Sequence, residues 1–411
     1  MEFEENKKFK ILVVDDIPKN IQVLGSILKK ANYLAGFATN GKQAIDILQH
    51  TDDYDLVLLD ISMPVMNGFD VCRAIRENTR LKEIPVIFLT AYTNTENIVK
   101  GFDAGAQDYV TKPFNLKELL ARVDTHLRLK QKTDQIRSLN IILDQKNKNL
   151  ISSIVYASSI QQAMLPSAEI LKKNIPDSFI LYKPKDIVSG DFYWFKQAGN
   201  LIYIVAADCT GHGIPGAFLS ILTLARLNEI FEEKRNIKFT RPNEILAELR
   251  KRIIKSLHQN DQKFESNGGL DIAFCIIDLE NYILQFAGAN NPLLLIRKKN
   301  PGNNFELIEK KGDRMPVGLH IRDKQAFINH EIKIQDGDIF YIFSDGYISQ
   351  FNGEGKKIFT ARRLQEALLK NQDKPMETQK QILEQTLAEW QGKYEQIDDI
   401  LIIGMRINMI S

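Results

Sequence analysis

The stretch KILVVDD at residues 10–16 contains an uninterrupted aliphatic run followed by two aspartates. Comparable aliphatic runs lie at Leu56–Leu59 and Val86–Leu89. Continuous runs of this kind are typical of strands that are buried on both faces of a sheet. Apolar residues with helical spacing separate the first two runs: Ile21, Leu24, Leu28 and Ala31. Repeated strand–helix units predict an α/β domain over residues 1–127, with a doubly wound parallel sheet of five strands.

The ends of these strands carry residue types that phosphoryl transfer to an aspartate would need. Asp15 and Asp16 follow the first strand, and Asp60 ends the third. Thr90 ends the fourth strand, and Lys112 follows the fifth. In a doubly wound sheet these positions share one edge. A carboxylate can attack phosphorus, and a Mg²⁺ ion held by acidic oxygens neutralises the phosphoryl charge.

We therefore expect Asp60 to accept a phosphoryl group. Asp15, Asp16 and Asp60 would supply the oxygens that hold Mg²⁺. Lys112 would pair with the phosphoryl group or with Asp60, and Thr90 would donate a hydroxyl hydrogen bond. A pair of acids after one strand is weak evidence by itself, because a solvated loop is the commoner explanation, but the whole set is specific.

The segment from Leu116 to Leu165 has no strand pattern and contains no proline. Apolar residues recur there every seven positions: Leu129, Ile136, Leu143, Leu150, Ala157 and Met164. This period predicts one long helix with a weak coiled-coil seam. We expect residues 128–165 to form a linker that joins two chains as a homodimer. The alternative is a single amphipathic helix that packs on its own domain.

After Pro166 the pattern changes to many strands at short intervals. The strand-like segments are Phe192–Phe195, Leu201–Ala207, Ile272–Ile277, Ile283–Phe286, Leu293–Ile296, Ile339–Phe343 and Leu401–Met405. Helical patterns lie between some of them, at Ile214–Lys234, Asn243–Leu257 and Met376–Trp390. Strands with inserted helices predict a layered α+β sandwich over residues 166–411, with helices outside two sheets (αββα).

Acidic residues recur at the borders of these apolar strands. Asp191 lies in VSGDFYWF, Asp208 in VAADCTGHG and Asp345 in FSDG, while Asp398 and Asp399 lie in IDDILII. Acids so close to buried strands need compensation, either from turn amides or from a bound cation. A single acid of this kind is more often a turn residue, but several in one domain favour a metal site. Oxygen ligands suit Mg²⁺ or Mn²⁺, and two such ions would activate water for attack on a phosphoryl group.

The composition narrows the class of protein. A formal net charge of +2 argues against a strongly basic surface for nucleic acid. The three cysteines Cys72, Cys209 and Cys275 are far apart and form no CxxC pair, which indicates a reducing compartment. The first ten residues are charged and lack the apolar run of a signal peptide. We expect a cytoplasmic protein without a membrane segment.

Residues 9–127 resemble the receiver domain of bacterial two-component response regulators. The motifs that carry the resemblance are VVDD at 13–16, D-ISMPVMNG at 60–68, LTA at 89–91 and DYVTKPF at 108–114. The resemblance implies phosphorylation of Asp60 by a cognate histidine kinase, with the backbone of Ser62 near the metal. It also implies that Thr90 and Tyr109 shift together on phosphorylation.

Residues 155–407 resemble the metal-dependent protein phosphatases of the 2C fold, in the bacterial branch of SpoIIE-like and RsbU-like serine phosphatases. The motifs are SIQQAMLP at 159–166, SGDFY, ADCTGHGIPGA, GANNP at 288–292, KGDRMPVG at 311–318, FSDG and DDILI. The resemblance implies two Mn²⁺ or Mg²⁺ ions, with Asp208 as the bridging ligand. The other ligands it implies are Asp191, the carbonyl of Cys209, Asp345 and Asp398.

The roles of three residues near these motifs are left open. Asp399 is a weaker candidate ligand than Asp398, because the family pattern uses the first acid of the pair. His212 is either a general acid or a structural loop residue. Asp271, in GGLDIAF, either joins a further metal site or simply begins a strand.

Together these features suggest a response regulator in which Asp60 controls a phosphoserine/phosphothreonine protein phosphatase. The resemblance implies that the substrate is a phosphorylated anti-sigma-factor antagonist in partner-switching control of transcription. One alternative is a catalytically weak docking module with the phosphatase fold. A DNA-binding regulator is a third class, against which stand the near-neutral charge and the lack of a short C-terminal helix-turn-helix domain.

Overall fold

The computed structural model describes residues 8–51, 53–91, 95–211, 213–233, 241–259, 268–299, 304–322 and 325–409. The chain divides into two compact units, Met1–Lys148 and Asn149–Ser411. This division falls inside the predicted linker, residues 128–165.

The first unit is the expected α/β domain. Its elements are β1 (Lys10–Val14), α1 (Pro18–Lys30), β2 (Leu34–Ala38), α2 (Gly41–His50), β3 (Leu56–Asp60), α3 (Gly68–Glu77), β4 (Val86–Thr90), α4 (Thr95–Asp103), β5 (Asp108–Thr111) and α5 (Leu116–Met164). The five strands are parallel in the order β2-β1-β3-β4-β5. The prediction of a five-stranded, doubly wound parallel sheet is confirmed.

Burial on both faces explains the aliphatic runs. In β1, Leu12 and Val14 point into one core and Ile11 and Val13 into the other, and all four are fully buried. The first core includes residues of α2 and α3, and the second includes residues of α1 and of the first turns of α5. Because both faces are covered by helices, neither face of the strand tolerates a polar residue before the strand ends.

Helix α5 is continuous over 49 residues, which confirms the predicted long helix. Its first turns are buried through Leu119, Val123 and Leu127, and its last turns through Ser158 and Gln161. Between them the heptad positions from Leu129 to Leu150 are exposed to solvent. The exposed helix therefore carries an apolar face for most of the predicted linker.

The second unit contains two sheets and six helices among its described residues. Its elements are α6 (Ala168–Asn174), β6 (Ser178–Lys183), β7 (Phe192–Ala198), β8 (Leu201–Cys209), α7 (Ile214–Glu233), α8 (Pro242–Ser256), β9 (Gly269–Asp278), β10 (Ile283–Ala289), β11 (Leu293–Lys298), β12 (Phe305–Lys310), β13 (Val317–Gly318), β14 (His330–Lys333), β15 (Asp338–Phe343), α9 (Gly346–Ser349), α10 (Ala361–Lys370), α11 (Met376–Gln391) and β16 (Ile400–Ile407).

The sheets are antiparallel and stack face to face. One sheet has the order β14-β10-β9-β8-β7 with β13 paired to β9, and the other has the order β12-β11-β15-β16-β6. Alternate residues of β8, such as Ile202 and Ile204, meet Phe340 and Ile342 of the other sheet in a shared core. The outer faces pack on α7 and α8 and on α10 and α11. The predicted αββα sandwich is confirmed.

Helix α7 is unusually apolar. Over Ile214–Glu232 it is the one helix among the described residues that is long and apolar enough, by composition alone, to span a membrane. Its residues Leu224, Leu227 and Ile230 are fully buried against the sheet. Core helices of soluble proteins pass the same test, so the composition of α7 is accounted for by its packing.

Candidate functional site

Three aspartates of the first unit meet at the carboxyl edge of the parallel sheet. Carboxylate oxygens of Asp15, Asp16 and Asp60 lie within 4.8 Å of one another. The Lys112 ammonium lies 2.8 Å from Oδ2 of Asp15 and 2.9 Å from Oδ1 of Asp60. The parallel strands deliver all four residues to one place, as the sequence predicts.

The electrostatics of this pocket leave negative charge uncompensated. Burial raises the pKa of Asp60 even though Lys112 lowers it. Burial also opposes the charge of Lys112, but its hydrogen bonds to Asp15 and Asp60 outweigh this effect and raise its pKa. Three carboxylates share one ammonium group, so a hard divalent cation with oxygen ligands fits the set. Asn20, which the sequence did not single out, donates to both carboxylate oxygens of Asp15 at 3.0 Å.

The remaining predicted residues of the first unit lie around this pocket. The backbone amide of Ser62 donates to the carboxylate of Asp60. Thr90 is buried, and its carbonyl accepts a 2.7 Å hydrogen bond from the amide of Lys112. The half-buried ring of Tyr109 meets Phe102 edge-on, at 6.3 Å between ring centroids. Thr90 and Tyr109 line the same small cavity, so the geometry permits the coupled movement that the resemblance implies.

A salt-bridge cluster lies between Tyr109 and the N-terminal turns of α5. The carboxylate of Asp108 lies 2.5 Å from Arg122 and 3.1 Å from the Nε2 atom of His126. The Arg122 guanidinium lies 5.7 Å from the centre of the Tyr109 ring. Burial alone would raise the pKa of Asp108, but the hydrogen bond from Arg122 and its other partners lower it. Sequence reasoning missed this cluster, because Asp108 and Arg122 meet only once α5 packs on β5.

The candidate phosphatase acids lie at one edge of the sandwich. Asp191 precedes β7, and Asp208 near the end of β8 pairs in register with Asp271 at the start of β9. Asp345 follows β15, and Asp398 precedes β16. Neighbouring antiparallel strands alternately end and begin at the same edge. This alternation is why residues far apart in sequence converge here.

The acids interact strongly at this edge. Burial, together with the negative charges of Asp345 and Asp398, raises the pKa of Asp208 to about 8. Asp191 is almost completely buried, and its pKa is raised well above the usual range by burial and by Asp208. The hydroxyl of Ser344 donates to Oδ2 of Asp191. Burial and the charge of Asp398 also raise the pKa of Asp345.

Glycines allow the acid-bearing loops to approach one another. A Cβ atom on Gly216 would lie 2.0 Å from the carbonyl of Gly211, and one on Gly346 would lie 1.9 Å from the carbonyl of Asp399. Gly211 and Gly213 also have positive φ angles of 92° and 67°, which favour glycine. The glycines of ADCTGHGIPGA and FSDG are therefore explained by close backbone contacts beside the acids.

Asp398 and Asp399 have different surroundings. Both carboxylate oxygens of Asp399 are used by backbone amides, those of Lys185 at 2.8 Å and Gly190 at 2.7 Å. Asp398 instead faces Asp208 and Asp345, whose pKa values it raises. This arrangement supports Asp398 as the candidate ligand. Asp399 holds Gly190, the residue before Asp191, in position.

Asp271 and His212 are the other two residues whose roles the sequence leaves open. Burial raises the pKa of Asp271, which accepts a 2.7 Å hydrogen bond from Asn290 in the GANNP motif. His212 lies outside the described residues. The thiol of Cys209 is buried, and burial next to Asp208 raises its pKa well above the usual range. A thiolate ligand at Cys209 is therefore not supported, while the proposed role of its carbonyl stays a prediction.

The end of α5 contacts the loop that carries Asp191. The side-chain amide nitrogen of the buried Gln161 donates to the carbonyl of Ser189 at 2.6 Å and to the Ser220 hydroxyl at 2.8 Å. Its oxygen accepts from the amide of Ser189 at 3.1 Å. The last turns of α5 are thus fixed to the acid edge by three hydrogen bonds.

The donor set at this edge suits hard divalent cations. All its candidate side-chain ligands are carboxylates, and desolvation together with neighbouring negative charges raises the pKa values of Asp191, Asp208 and Asp345. Among the described residues, only the first-unit acids form a group of three with ligand atoms within 4.8 Å of one another. In the second unit, no three of the described acids have ligand atoms that all lie this close together.

Comparisons with known proteins agree with the two units. Residues 11–124 match the family model of the response regulator receiver domain, and residues 198–408 match that of stage II sporulation protein E (SpoIIE). The structure of the SiaA-PP2C domain of Pseudomonas aeruginosa is 31% identical, with a TM-score of 0.56. The match covers 64% of this chain and 99% of that one.

Curated relatives match a smaller part of the chain. A probable cyclic di-GMP phosphodiesterase of Vibrio cholerae is 42% identical over 144 residues, which are 35% of this chain and 32% of the relative. The DNA-binding response regulator MtrA of Mycolicibacterium smegmatis is 43% identical over 119 residues, 29% of this chain and 50% of the relative. The chain thus spans a third to a half of the length of these two relatives.

The different surroundings of Asp398 and Asp399 predict different effects on stability without divalent metal. Asp399→Ala leaves two amides without an acceptor, and each buried unpaired group costs about 1–3 kcal/mol. Asp398→Ala leaves only the Asp399 amide without its acceptor and removes a charge that repels Asp208 and Asp345, so it should lower the free energy of unfolding less than Asp399→Ala does. Urea unfolding in EDTA, followed for the phosphatase transition, measures both. Equal destabilisation by the two substitutions would contradict the assignment.

Proposed function

The chain belongs to the family of stage II sporulation protein E, and we propose that it is a response regulator whose second unit hydrolyses phosphoserine or phosphothreonine in proteins. The observation that carries the proposal is the acid edge of the sandwich, where Asp191, Asp208, Asp345 and Asp398 converge between two sheets. Phosphorylation of Asp60 would control this activity.

The acids at the edge act as ligands in this proposal. Two Mn²⁺ or Mg²⁺ ions would neutralise the phosphoryl oxygens and lower the pKa of an attacking water. Asp208 would bridge them, and the other ligands would be Asp191, the Cys209 carbonyl, Asp345 and Asp398. Ser344 holds the Asp191 carboxylate in position.

A covalent intermediate on a side chain is not required. The thiol of Cys209 is buried, and its pKa is raised, which disfavours the nucleophilic thiolate. The Ser344 hydroxyl is buried and already donates to Asp191. Direct attack by water agrees with both observations.

The pocket around Asp60 supports the regulatory half of the proposal. Asp60 would receive the phosphoryl group from a histidine kinase, with Mg²⁺ held by Asp15, Asp16 and Asp60. Lys112 already lies within 2.9 Å of Asp60 and would pair with the added charge. Thr90 and Tyr109 would then move, and the contacts of Asp108 with Arg122 and His126 would pass the change to α5.

Helix α5 is the proposed connection to the acid edge. It is one continuous element from the salt-bridge cluster at Arg122 to the hydrogen bonds of Gln161. A change in its position or pairing would therefore act on Ser189, two residues before Asp191. The exposed apolar heptad positions support pairing of two chains along this helix.

The proposed substrate and cellular location come from the family resemblance. The substrate would be a phosphorylated anti-sigma-factor antagonist, and the protein would act in the cytoplasm without contacting nucleic acid or membrane. Incubating the protein and Mn²⁺ with such an antagonist, phosphorylated on serine, tests this step directly. A phosphoserine that survives while p-nitrophenyl phosphate is hydrolysed would exclude that substrate.

Asp208→Asn is expected to lower Mn²⁺-dependent hydrolysis of a phosphoserine peptide by roughly a hundredfold or more. Loss of residues that merely support a metal ligand already costs roughly 10–100-fold, and Asp208 is the proposed bridge itself. The matched control is Asp373→Asn, an exposed acid in the loop before α11, which should retain full activity. A wild-type rate in the Asp208 variant would refute the site.

Beryllofluoride, which mimics the aspartyl phosphate, is expected to raise the phosphatase rate of the wild-type chain. Asp60→Ala should abolish this response, because the acceptor carboxylate is missing. Asp46→Ala, at an exposed acid of α2, is the control and should respond normally. Initial rates with and without beryllofluoride measure the effect, and an equal response in the Asp60 variant would contradict the proposed control.

Leu143→Glu combined with Leu150→Glu is expected to convert a dimer to a monomer, since like charges would face each other across the helix seam. Lys148→Glu, outside the heptad seam, is the control and should remain dimeric. Light scattering coupled to size-exclusion chromatography gives the mass. A monomeric wild-type chain at micromolar concentration would show that the apolar face has another role.

A further inference from the structure

Three large apolar side chains beside the acid edge are exposed to solvent. Ile187, in the loop between β6 and β7, is 44% exposed, and Ile214, at the start of α7, is 41% exposed. Phe218, one turn further along α7, is 64% exposed. Most large apolar residues of this unit are buried in its three cores. We call these three residues the docking ridge.

The two segments that carry the docking ridge are adjacent. Ile214 and Phe218 are four residues apart in a helix and therefore share a face. Ile187 follows Asp186, whose Oδ2 atom lies 3.4 Å from the position of a Cβ atom on Gly213. Because Gly213 directly precedes Ile214, the loop and the helix start are adjacent.

The ridge also adjoins the proposed reaction centre. The backbone of Gly216, between Ile214 and Phe218, packs against the carbonyl of Gly211 and the Cα atom of Gly190. Gly190 directly precedes Asp191, and Gly211 lies three residues after Asp208. A molecule that contacts the ridge therefore lies next to the acid-bearing loops.

A cation lies in the same loop as Ile187. The amide of Lys185 is fixed by Asp399 at 2.8 Å, and its side chain is half-buried. Within the described part of the chain, the Lys185 ammonium forms no salt bridge. An anionic group on a partner would complement this charge, whereas the carboxylates of the edge by themselves would repel it.

We infer that the docking ridge binds apolar side chains that flank the phosphoserine of a protein substrate, with Lys185 facing the phosphorylated residue. The inference rests on the proposed phosphatase function and adds a substrate preference to it. Three side chains are too few for a stable dimer, which needs about 1,200 Å² or more of buried surface. A brief contact with a substrate segment needs far less.

The test compares two phosphoserine peptides, one with leucine and phenylalanine beside the phosphoserine and one with serine and glycine there. The full chain is assayed with Mn²⁺, and kcat/KM is measured for each peptide and for p-nitrophenyl phosphate. We expect at least a tenfold preference of the wild type for the apolar peptide. Phe218→Ser and Ile187→Ser should each reduce this preference to less than threefold.

The matched control is Ile170→Ser. Ile170 is 43% exposed on α6, which precedes the opposite end of β6 from the acid edge. This variant should keep the full preference. Ile187 lies in a loop and Phe218 lies in α7. Ile187→Ser therefore still tests the docking ridge if Phe218→Ser disturbs folding.

The outcomes separate the two proposals. Equal kcat/KM values for the two peptides in the wild type would overturn the docking ridge and leave the phosphatase intact. A preference that persists in both ridge variants, or that falls equally in Ile170→Ser, would also overturn it. If neither the peptides nor p-nitrophenyl phosphate are hydrolysed, the phosphatase function itself fails.

Discussion

Asp208 is half-buried at an edge where other carboxylates face it, and a similar crowding of negative charge recurs at Asp60 in the first unit. Removing a carboxylate from water is costly unless a hydrogen bond or a cation compensates for it. The structure uses two forms of compensation. Lys112 neutralises part of the charge around Asp60, and backbone amides satisfy Asp399. For the acids around Asp208 we propose a bound cation.

This constraint accounts for the backbone around the second site. Loops that carry repelling acids must be held together by other contacts, and glycines allow the backbones to approach closely at Gly216 and Gly346. Gln161 adds hydrogen bonds from the end of α5 to the loop before Asp191. A site whose ligands repel one another without metal is sensitive to such supports. The proposed control through the helix would act at these hydrogen bonds of Gln161.

Much of the fold follows from local patterns in the sequence. The aliphatic runs of β1, β3 and β4 are buried on both faces, so their composition alone identifies them. The long helix was also predictable, because a seven-residue period and the lack of proline extend over its length. The strands that sequence analysis missed are β6, β12, β13 and β14. Strand β14 reads HEIK and β12 reads FELIEK, so charged residues on their exposed sides hide the pattern. The unit boundary within α5 has no local marker either.

The candidate site was predicted in part. The acids were recognisable because each adjoins an apolar strand, but their partners were not. Asn290 reaches Asp271 only when β10 pairs with β9, and Ser344 reaches Asp191, as Gly190 reaches Asp399, only when the two sheets stack. The central claim is that the acids around Asp208 hold divalent cations. The most direct test is to count the Mn²⁺ ions bound per chain. Electron paramagnetic resonance measures the free Mn²⁺, and the bound number is the difference from the total. Asp208→Asn should bind at least one ion fewer than the wild type, and equal numbers would contradict the account.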